Sequence, residues 1–173
     1  MDDSFFAYLQ QLELMAFFSA YPLVYAIIQV IAGNSKKEII KKISSLLPSA
    51  YALVGLLYLG LQLKNLYPDY SFENIRLSMQ QPFLKIWALL SQLFWIPVLR
   101  KKLALSLIHS LPFFLFLVKD IFLRSSPDKH IVRNDMKIYT DSLLINLGSL
   151  AAIVIVYLLF RYYRSQIKST SSH

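Results

Sequence analysis

One histidine is the residue of this sequence best suited to chemistry. His109 lies in an uncharged apolar stretch, next to Ser110 and three residues before Pro112. His109 is therefore predicted to lie deep in an apolar helix. Pro112 should loosen that helix locally, because a proline interrupts helical hydrogen bonding. An imidazole there could ligate a haem or another pigment, relay a proton, or bind a polar group of a ligand. The structural alternative is a neutral ring hydrogen-bonded to a serine or to a freed carbonyl.

Two amide side chains could share a pocket with this histidine. Gln92 and Asn146 also lie in apolar stretches, and with His109 they predict a site for a hydrophobic ligand such as a quinone, a lipid or a pigment. Catalytic signals are scarce, because the chain has no cysteine, no nearby second metal ligand for His109 and no phosphate-binding or hydrolase motif. The cofactor stays unknown, with haem or pigment ligation by His109 as an open alternative. An enzyme is disfavoured.

The composition indicates that these residues are held by helices in a membrane. Hydrophobic residues make up 56% of the chain and charged residues 16%, whereas soluble domains have about 45–50% and about 25%. Residues 14–33, 43–63 and 142–160 contain no charge. At about 1.5 Å of rise per residue, each run is long enough to cross a hydrocarbon core of about 30 Å. The 23 phenylalanines and tyrosines predict lipid-facing or pigment-facing surfaces and aromatic belts.

The predicted fold is an all-α polytopic integral membrane protein with about five transmembrane helices. Residues 1–164 form one helical domain, and residues 165–173 form a short polar tail predicted to be disordered. Pro22 is expected to kink the first span, and Ser19 to bond back along it. Residues 124–141 are predicted to be a solvated loop. The predicted spans cover residues 14–33, 44–63, 82–99, 103–123 and 142–160.

The third and fourth spans have the shortest uncharged runs, and a second arrangement is open for them. Their uncharged runs cover only residues 86–99 and 103–118, so they reach full length only if Lys85 and Lys119 snorkel to the headgroups. A re-entrant pair of half-helices would instead bury the hairpin between them. That hairpin is the basic run 100–102. Because three charges fit poorly inside a membrane, two full spans are favoured.

The positive-inside rule predicts that the amino terminus is outside and the carboxyl terminus inside. With this orientation, ten of the eighteen lysines and arginines lie in compact inner clusters, whereas nine of the ten acids are outside. The inner clusters should attract anionic lipid headgroups and are too short to follow a nucleic acid backbone. A bacterial inner membrane is the default localisation. The predicted headgroup residues are Lys36, Lys37, Lys41, Lys42, Arg100, Lys101 and Lys102.

Small residues predict close helix packing, within the chain or against a partner. Gly148 and Ala152 form one small-x-x-x-small pair, Ala16 and Ala20 form another, and Gly55 lies on a smooth stripe. Apolar spans that contain small residues, together with few catalytic groups, favour a non-enzymatic accessory or assembly subunit of a larger membrane complex. Its expected partners are the lipid bilayer and other membrane subunits, with no nucleic acid. The carrier for a hydrophobic ligand is the alternative.

Overall fold

The chain is all-helical in the computed structural model, which describes residues 3–68, 70, 71, 76, 82–123 and 129–170. Within these residues there is no β-strand. The sequence-based prediction of an all-α fold is therefore confirmed. The helices are α1 (Asp3–Phe18), α2 (Tyr21–Asn34), α3 (Glu38–Leu66), α4 (Pro82–Leu90), a 3-10 helix (Ser91–Trp95), α5 (Pro97–Arg100), α6 (Leu103–Leu123) and α7 (Lys129–Thr170).

Three helical stretches in the described residues are long and apolar enough to cross a membrane. They are Gln11–Asn34, which combines α1 and α2, then Glu38–Leu66, and Met136–Ile167 within α7. A shorter apolar helix covers Leu103–Lys119. Apolar helices of this length are compatible with a membrane protein, as the uncharged runs of the sequence predict.

The first apolar stretch is broken at Ser19 and Ala20, between α1 and α2. Pro22 lies at the start of α2, where its missing amide hydrogen costs little. The Oγ of Ser19 donates a 2.6 Å hydrogen bond to the carbonyl of Met15, as predicted. The carbonyl of Ala20 then accepts bonds from the amides of Leu23 and Val24, at 3.1 and 3.2 Å. The predicted kink is therefore a two-residue turn that divides the helix into α1 and α2.

The stretch that corresponds to the third predicted span is also interrupted. After α4 and the 3-10 helix, Ile96 has φ −65° and ψ 127°, and α5 then begins at Pro97. A proline disfavours helical backbone in the residue before it, which explains the extended conformation of Ile96. This stretch still follows α3 closely, because Nε1 of Trp95 donates to the carbonyl of Ser49 at 3.3 Å. The residues expected to form one helix, 82–99, therefore form three short ones.

Contacts along α3 give the direction of every neighbouring helix. The α1–α2 stretch is antiparallel to α3, because Glu13 meets Gln62 and Gln29 meets Ser44. The α4–α5 stretch is antiparallel too, since Gln92 bonds to the carbonyl of Ala52 and Trp95 to that of Ser49. Helix α6 runs parallel to α3, with Leu103 beside Leu46 and His109 beside Tyr51. Helix α7 is antiparallel to α3. Its Ser142 contacts Ala20, at the middle of the α1–α2 stretch, and its later residue Tyr157 contacts Lys42 near the start of α3.

Aromatic side chains fill the core around α3. Tyr21, Tyr51 and Tyr58 are fully buried, and the rings of Tyr21 and Tyr51 are 4.3 Å apart. The rings of Phe18 and Phe113 stack at 5.0 Å. Paired rings contribute beyond the area they bury. The expectation that aromatics mainly face lipid is therefore incomplete, because these rings form the interior.

Helix α7 is longer than its predicted span at both ends. It begins at Lys129, so residues 129–141 are helical where a solvated loop is predicted. It continues to Thr170, which corrects the prediction of a disordered tail for residues 165–170, while residues 171–173 lie outside the described part. Few residues in either extension break a helix, and a helix already nucleated by a long apolar span extends at little cost.

Candidate functional site

His109 lies at the centre of an aromatic cluster between α3, α4 and α6. Its Nδ1 is 2.9 Å from the hydroxyl of Tyr51. The ring of Trp87 stacks on the imidazole, with centroids 5.1 Å apart and an interplanar angle of 15°. Phe94 and Tyr51 both contact the imidazole edge-on at 5.7 Å. Rings on several sides therefore fix the orientation of the histidine.

The backbone of His109 takes part in the same cluster. Nε1 of Trp87 donates to the carbonyl of His109 at 3.0 Å. This carbonyl lies in the turn before Pro112, whose ring crowds that turn. Helix α6 continues through the turn, and a loosened turn beside His109 stays a prediction. Trp87 is a residue that sequence reasoning missed, because it lies on a separate helix and no local signal in the sequence connects it with His109.

The other ring nitrogen of His109 makes no hydrogen bond that would fix its role. Nε2 is buried and has no hydrogen-bond partner within the described residues. If the Tyr51 hydroxyl donates to Nδ1, then Nε2 carries the proton and can donate to a ligand; in the other tautomer Nε2 can accept a bond or ligate a metal. The described residues contain no group of three His, Cys, Asp or Glu that could hold a metal ion. Any metal ligation would therefore rest on His109 with an external ligand.

The three residues predicted to share a ligand pocket have separate neighbours. Nε2 of Gln92 donates to the carbonyl of Ala52 at 3.1 Å, beside the cluster. Asn146 lies instead at the break between α1 and α2, where its Nδ2 donates to the carbonyl of Phe17 at 2.8 Å. No hydrogen bond or ring contact joins His109 to either amide in the described structure.

Asn146 belongs to a polar joint that stabilises the helix break. Its Nδ2 also reaches the carbonyl of Ser142 at 2.8 Å, and Oγ of Ser142 accepts a bond from the amide of Ala20 at 3.0 Å. These bonds satisfy backbone groups of Phe17 and Ala20 that the interrupted helix leaves free. Sequence reasoning identified Asn146 as a candidate ligand contact and did not identify its hydrogen bonds at the break between α1 and α2.

The residues predicted for helix packing fall into two groups. Gly55 is buried, and a Cβ there would overlap Oγ of Ser91 and Nε2 of Gln92, so the 3-10 helix can approach α3 only at a glycine. Ala20 is buried and Ala16 is half-buried. Gly148 and Ala152 are exposed on α7, and a Cβ at Gly148 would meet nothing within 4 Å.

A polar site lies at one end of the bundle. Gln62 donates to one oxygen of Glu13 at 2.7 Å, and Asn65 donates to the other at 3.3 Å. Lys85 is within electrostatic range of this carboxylate and is only 8% exposed. This polar site holds the amino-terminal end of the bundle together.

Basic residues converge at the opposite end, where two clefts share Lys42, Ser45 and Tyr157. Of the seven predicted headgroup residues, Lys41, Lys42, Arg100 and Lys101 line these clefts. Arg161 of α7 joins them and was absent from the predicted set. Lys36, Lys37 and Lys102 are exposed and line neither cleft.

Comparison of the chain with protein-family models, curated proteins and solved structures finds no match.

Proposed function

We propose that this chain is a five-span accessory or assembly subunit of a larger membrane protein complex, without enzymatic activity of its own. The observation that carries the proposal is the two-faced surface of α7. One face is polar and turned into the bundle, and the opposite face is smooth, apolar and uncovered. The default membrane is a bacterial inner membrane, with the amino terminus outside.

The alternating directions of the helices support five crossings. Relative to α3, the α1–α2 stretch, the α4–α5 stretch and α7 are antiparallel, whereas α6 is parallel. A chain that crosses a bilayer five times needs this alternation. A re-entrant pair would keep residue 100 far from the first residues of α3, but Arg100 lines a cleft together with Lys42.

The positions of the charges support the orientation. Basic residues from three separate parts of the sequence meet at one end of the bundle: Lys42, Arg100 and Arg161. The carboxylate of Glu13 and its hydrogen bonds to Gln62 and Asn65 lie at the other end. Because lysine and arginine concentrate on the cytoplasmic side, the basic end is assigned to the cytoplasm.

The two faces of α7 support a docking role. Ser142, Asn146 and Ser149 are buried toward the bundle. The opposite face carries Gly148 and Ala152, between exposed leucines and isoleucines. Only 17% of the most apolar stretch of α7 is buried, against 56% for α3. Small residues on an exposed span allow a second helix to approach closely.

Gly148→Leu tests this proposal, with Gly60→Leu as the matched control. Both glycines are exposed, and a Cβ at either position meets nothing within 4 Å, but Gly60 lies on α3. The full chain would be purified from its native membrane in mild detergent, and stoichiometric partners would be quantified. We expect the leucine at position 148 to reduce partner recovery at least about tenfold, and the control to leave it unchanged. A chain that has no stoichiometric partner, or whose partner is equally retained by both variants, would refute the accessory role.

The buried Nε2 of His109 favours a second candidate function, the binding of a hydrophobic ligand such as a quinone, a lipid or a pigment. A buried polar atom without a partner is costly, and a ligand group would remove that cost. Under this proposal His109→Phe releases a co-purifying ligand, because it keeps an aromatic ring and removes both nitrogens. Tyr25→Phe, on a half-buried tyrosine outside the cluster, is the control. If extracts of the wild type and of His109→Phe contain the same compounds, the ligand role is wrong.

A further inference from the structure

We propose that the basic end of the bundle holds a specific binding site for the phosphate group of an anionic phospholipid. The site, here called the basic cleft, is lined by cations from α3, from the turn between α5 and α6, and from α7. It is an open cleft to which three separate parts of the chain contribute cations, which distinguishes it from a general attraction between a positive surface and a negative membrane. The inference goes beyond the accessory role and requires only that the chain is embedded in a bilayer.

Two adjoining cavities form the basic cleft, with volumes of about 510 and 380 Å³. They share Lys42, Ser45 and Tyr157, so one headgroup can contact the walls of both. This space is ample for a phosphate with an attached glycerol. The remaining lining residues that matter here are Lys41, Arg100, Lys101 and Arg161.

The charge of the lining is strongly unbalanced. Five lysines and arginines face Glu38 as the single acid, and the smaller cavity has three cations and no acid. Unneutralised cations at close range repel one another, so an anion between them lowers their free energy. Arginine suits this role because its planar group bonds two phosphate oxygens at once. Hydroxyl groups of Ser45 and Tyr157 add neutral hydrogen-bonding partners.

The depth of the basic cleft matches the headgroup layer. Lys42 directly precedes the uncharged run 43–63, Arg100 directly follows 86–99, and Arg161 directly follows 142–160. Each cation is therefore the first charge beyond an apolar span. Phosphate groups of a bilayer lie just outside its hydrocarbon core, at this same level.

The surroundings favour an amphiphile over a free ion. The exposed apolar surface of α7 reaches the basic cleft, because Tyr157 and Phe160 lie on the hydrocarbon side of Arg161. Phe160 is 72% exposed. Nζ of Lys42 lies 5.7 Å from the ring centroid of Tyr157, which holds this cation against the apolar wall. A lipid can cover such a surface while its phosphate meets the cations, whereas inorganic phosphate cannot.

The test compares two triple variants that remove the same charge. The cleft variant is Lys42→Gln, Arg100→Gln and Arg161→Gln, and the control is Lys36→Gln, Lys37→Gln and Lys102→Gln, three exposed cations outside the cavities. The full chain in detergent would be titrated with palmitoyl-oleoyl phosphatidylglycerol, and the bound lipid counted by native mass spectrometry. A lysine or arginine near a headgroup contributes about a factor of five to affinity. We expect at least about a tenfold loss for the cleft variant and less than about twofold for the control.

Two further arms identify the source of the phosphate. Phosphatidylcholine with the same acyl chains should bind at least about tenfold more weakly than phosphatidylglycerol. Glycerol 3-phosphate at the same concentration should not displace the lipid. Equal losses in the two triple variants, equal binding of the two lipids, or displacement by glycerol 3-phosphate would each overturn the proposal.

A milder pair of variants keeps the test valid if the cleft triple variant does not fold. Lys101 and Lys102 are adjacent and both exposed, but only Lys101 lines the basic cleft. Lys101→Gln should weaken phosphatidylglycerol binding about fivefold, and Lys102→Gln by less than about twofold. Equal effects would contradict a specific site. The partner assay with Gly148→Leu has a separate readout, so a failure here leaves the accessory role standing, and the reverse also holds.

Discussion

Helices α3 and α7 are both long and apolar, yet Gly55 of α3 and Gly148 of α7 have opposite surroundings. In α3, Gly55 is the contact point of the 3-10 helix, and Tyr51 and Tyr58 are fully buried. In α7, Gly148 faces outward, and a Cβ added there would meet nothing within 4 Å. A small residue in an apolar helix therefore permits a close contact, and only the neighbouring elements decide whether the chain itself makes that contact. The bundle is built around α3, and α7 leaves its outer face for lipid or a partner.

The two glycines should differ most in how much a leucine at each position lowers the free energy of unfolding. Gly55→Leu should lower the free energy of unfolding by about 3 kcal/mol, because the new side chain collides with Ser91 and Gln92. Gly148→Leu should change it by less than about 0.5 kcal/mol, since the position is open. Denaturant titration in mixed micelles, followed by circular dichroism, measures both values. Similar values for the two variants would remove the distinction between a packed and an open helix.

The next effect compares the two faces of α7. Asn146→Leu should cost about 1–2 kcal/mol, because the carbonyl of Phe17 loses its side-chain donor at the helix break. Leu147→Ala, on the exposed face of the same helix, should cost less than about 0.5 kcal/mol in the isolated chain. The same micelle titration applies. An unchanged stability in the Asn146 variant would mean that the polar joint does not hold α7 to the bundle.

The third comparison is between a tyrosine hydroxyl on α3 and one on α7, and it should give the smallest difference in stability. Tyr51→Phe removes the bond to Nδ1 of His109 and should cost about 1 kcal/mol, because it leaves a polar atom unpaired in the core. Tyr157→Phe removes a hydroxyl at the basic cleft and should leave the stability of the lipid-free chain unchanged. Thermal unfolding in detergent is sensitive enough for the pair. Equal shifts in melting temperature would argue against a structural role for the histidine bond.

The apolar spans could be predicted from the sequence because they depend on composition alone. Uncharged runs long enough to cross a bilayer locate α2, α3 and the centre of α7, and Pro22 and Ser19 signal the first helix break. The break at Ile96 has a comparable signal in Pro97, but the uncharged run around it is equally compatible with one short span. Charged residues in 129–141 suggest a loop, although a helix tolerates them when it continues from a stable span.

The candidate sites depend on contacts that a single sequence does not contain. His109 is recognisable as a polar residue in an apolar helix, but the stacking of Trp87 requires the positions of two separate helices. The pairing of Asn146 and Ser142 with the break in the first span depends on where α7 packs. Convergence of the basic clusters is the more predictable part, because the positive-inside rule already assigns those loops to one side. Arg161 joins the cleft for that reason.

In the proposed arrangement, the chain crosses the bilayer five times and its basic segments lie on one side. Because the chain has no cysteine, single cysteines can be introduced without background, at Lys101→Cys in the turn between α5 and α6 and at Tyr70→Cys after α3. Each variant would be treated with a membrane-impermeant maleimide in intact cells and again after permeabilisation. We predict labelling of Tyr70→Cys in intact cells, and labelling of Lys101→Cys only after permeabilisation. Labelling of both variants from the same side would contradict the five-span arrangement.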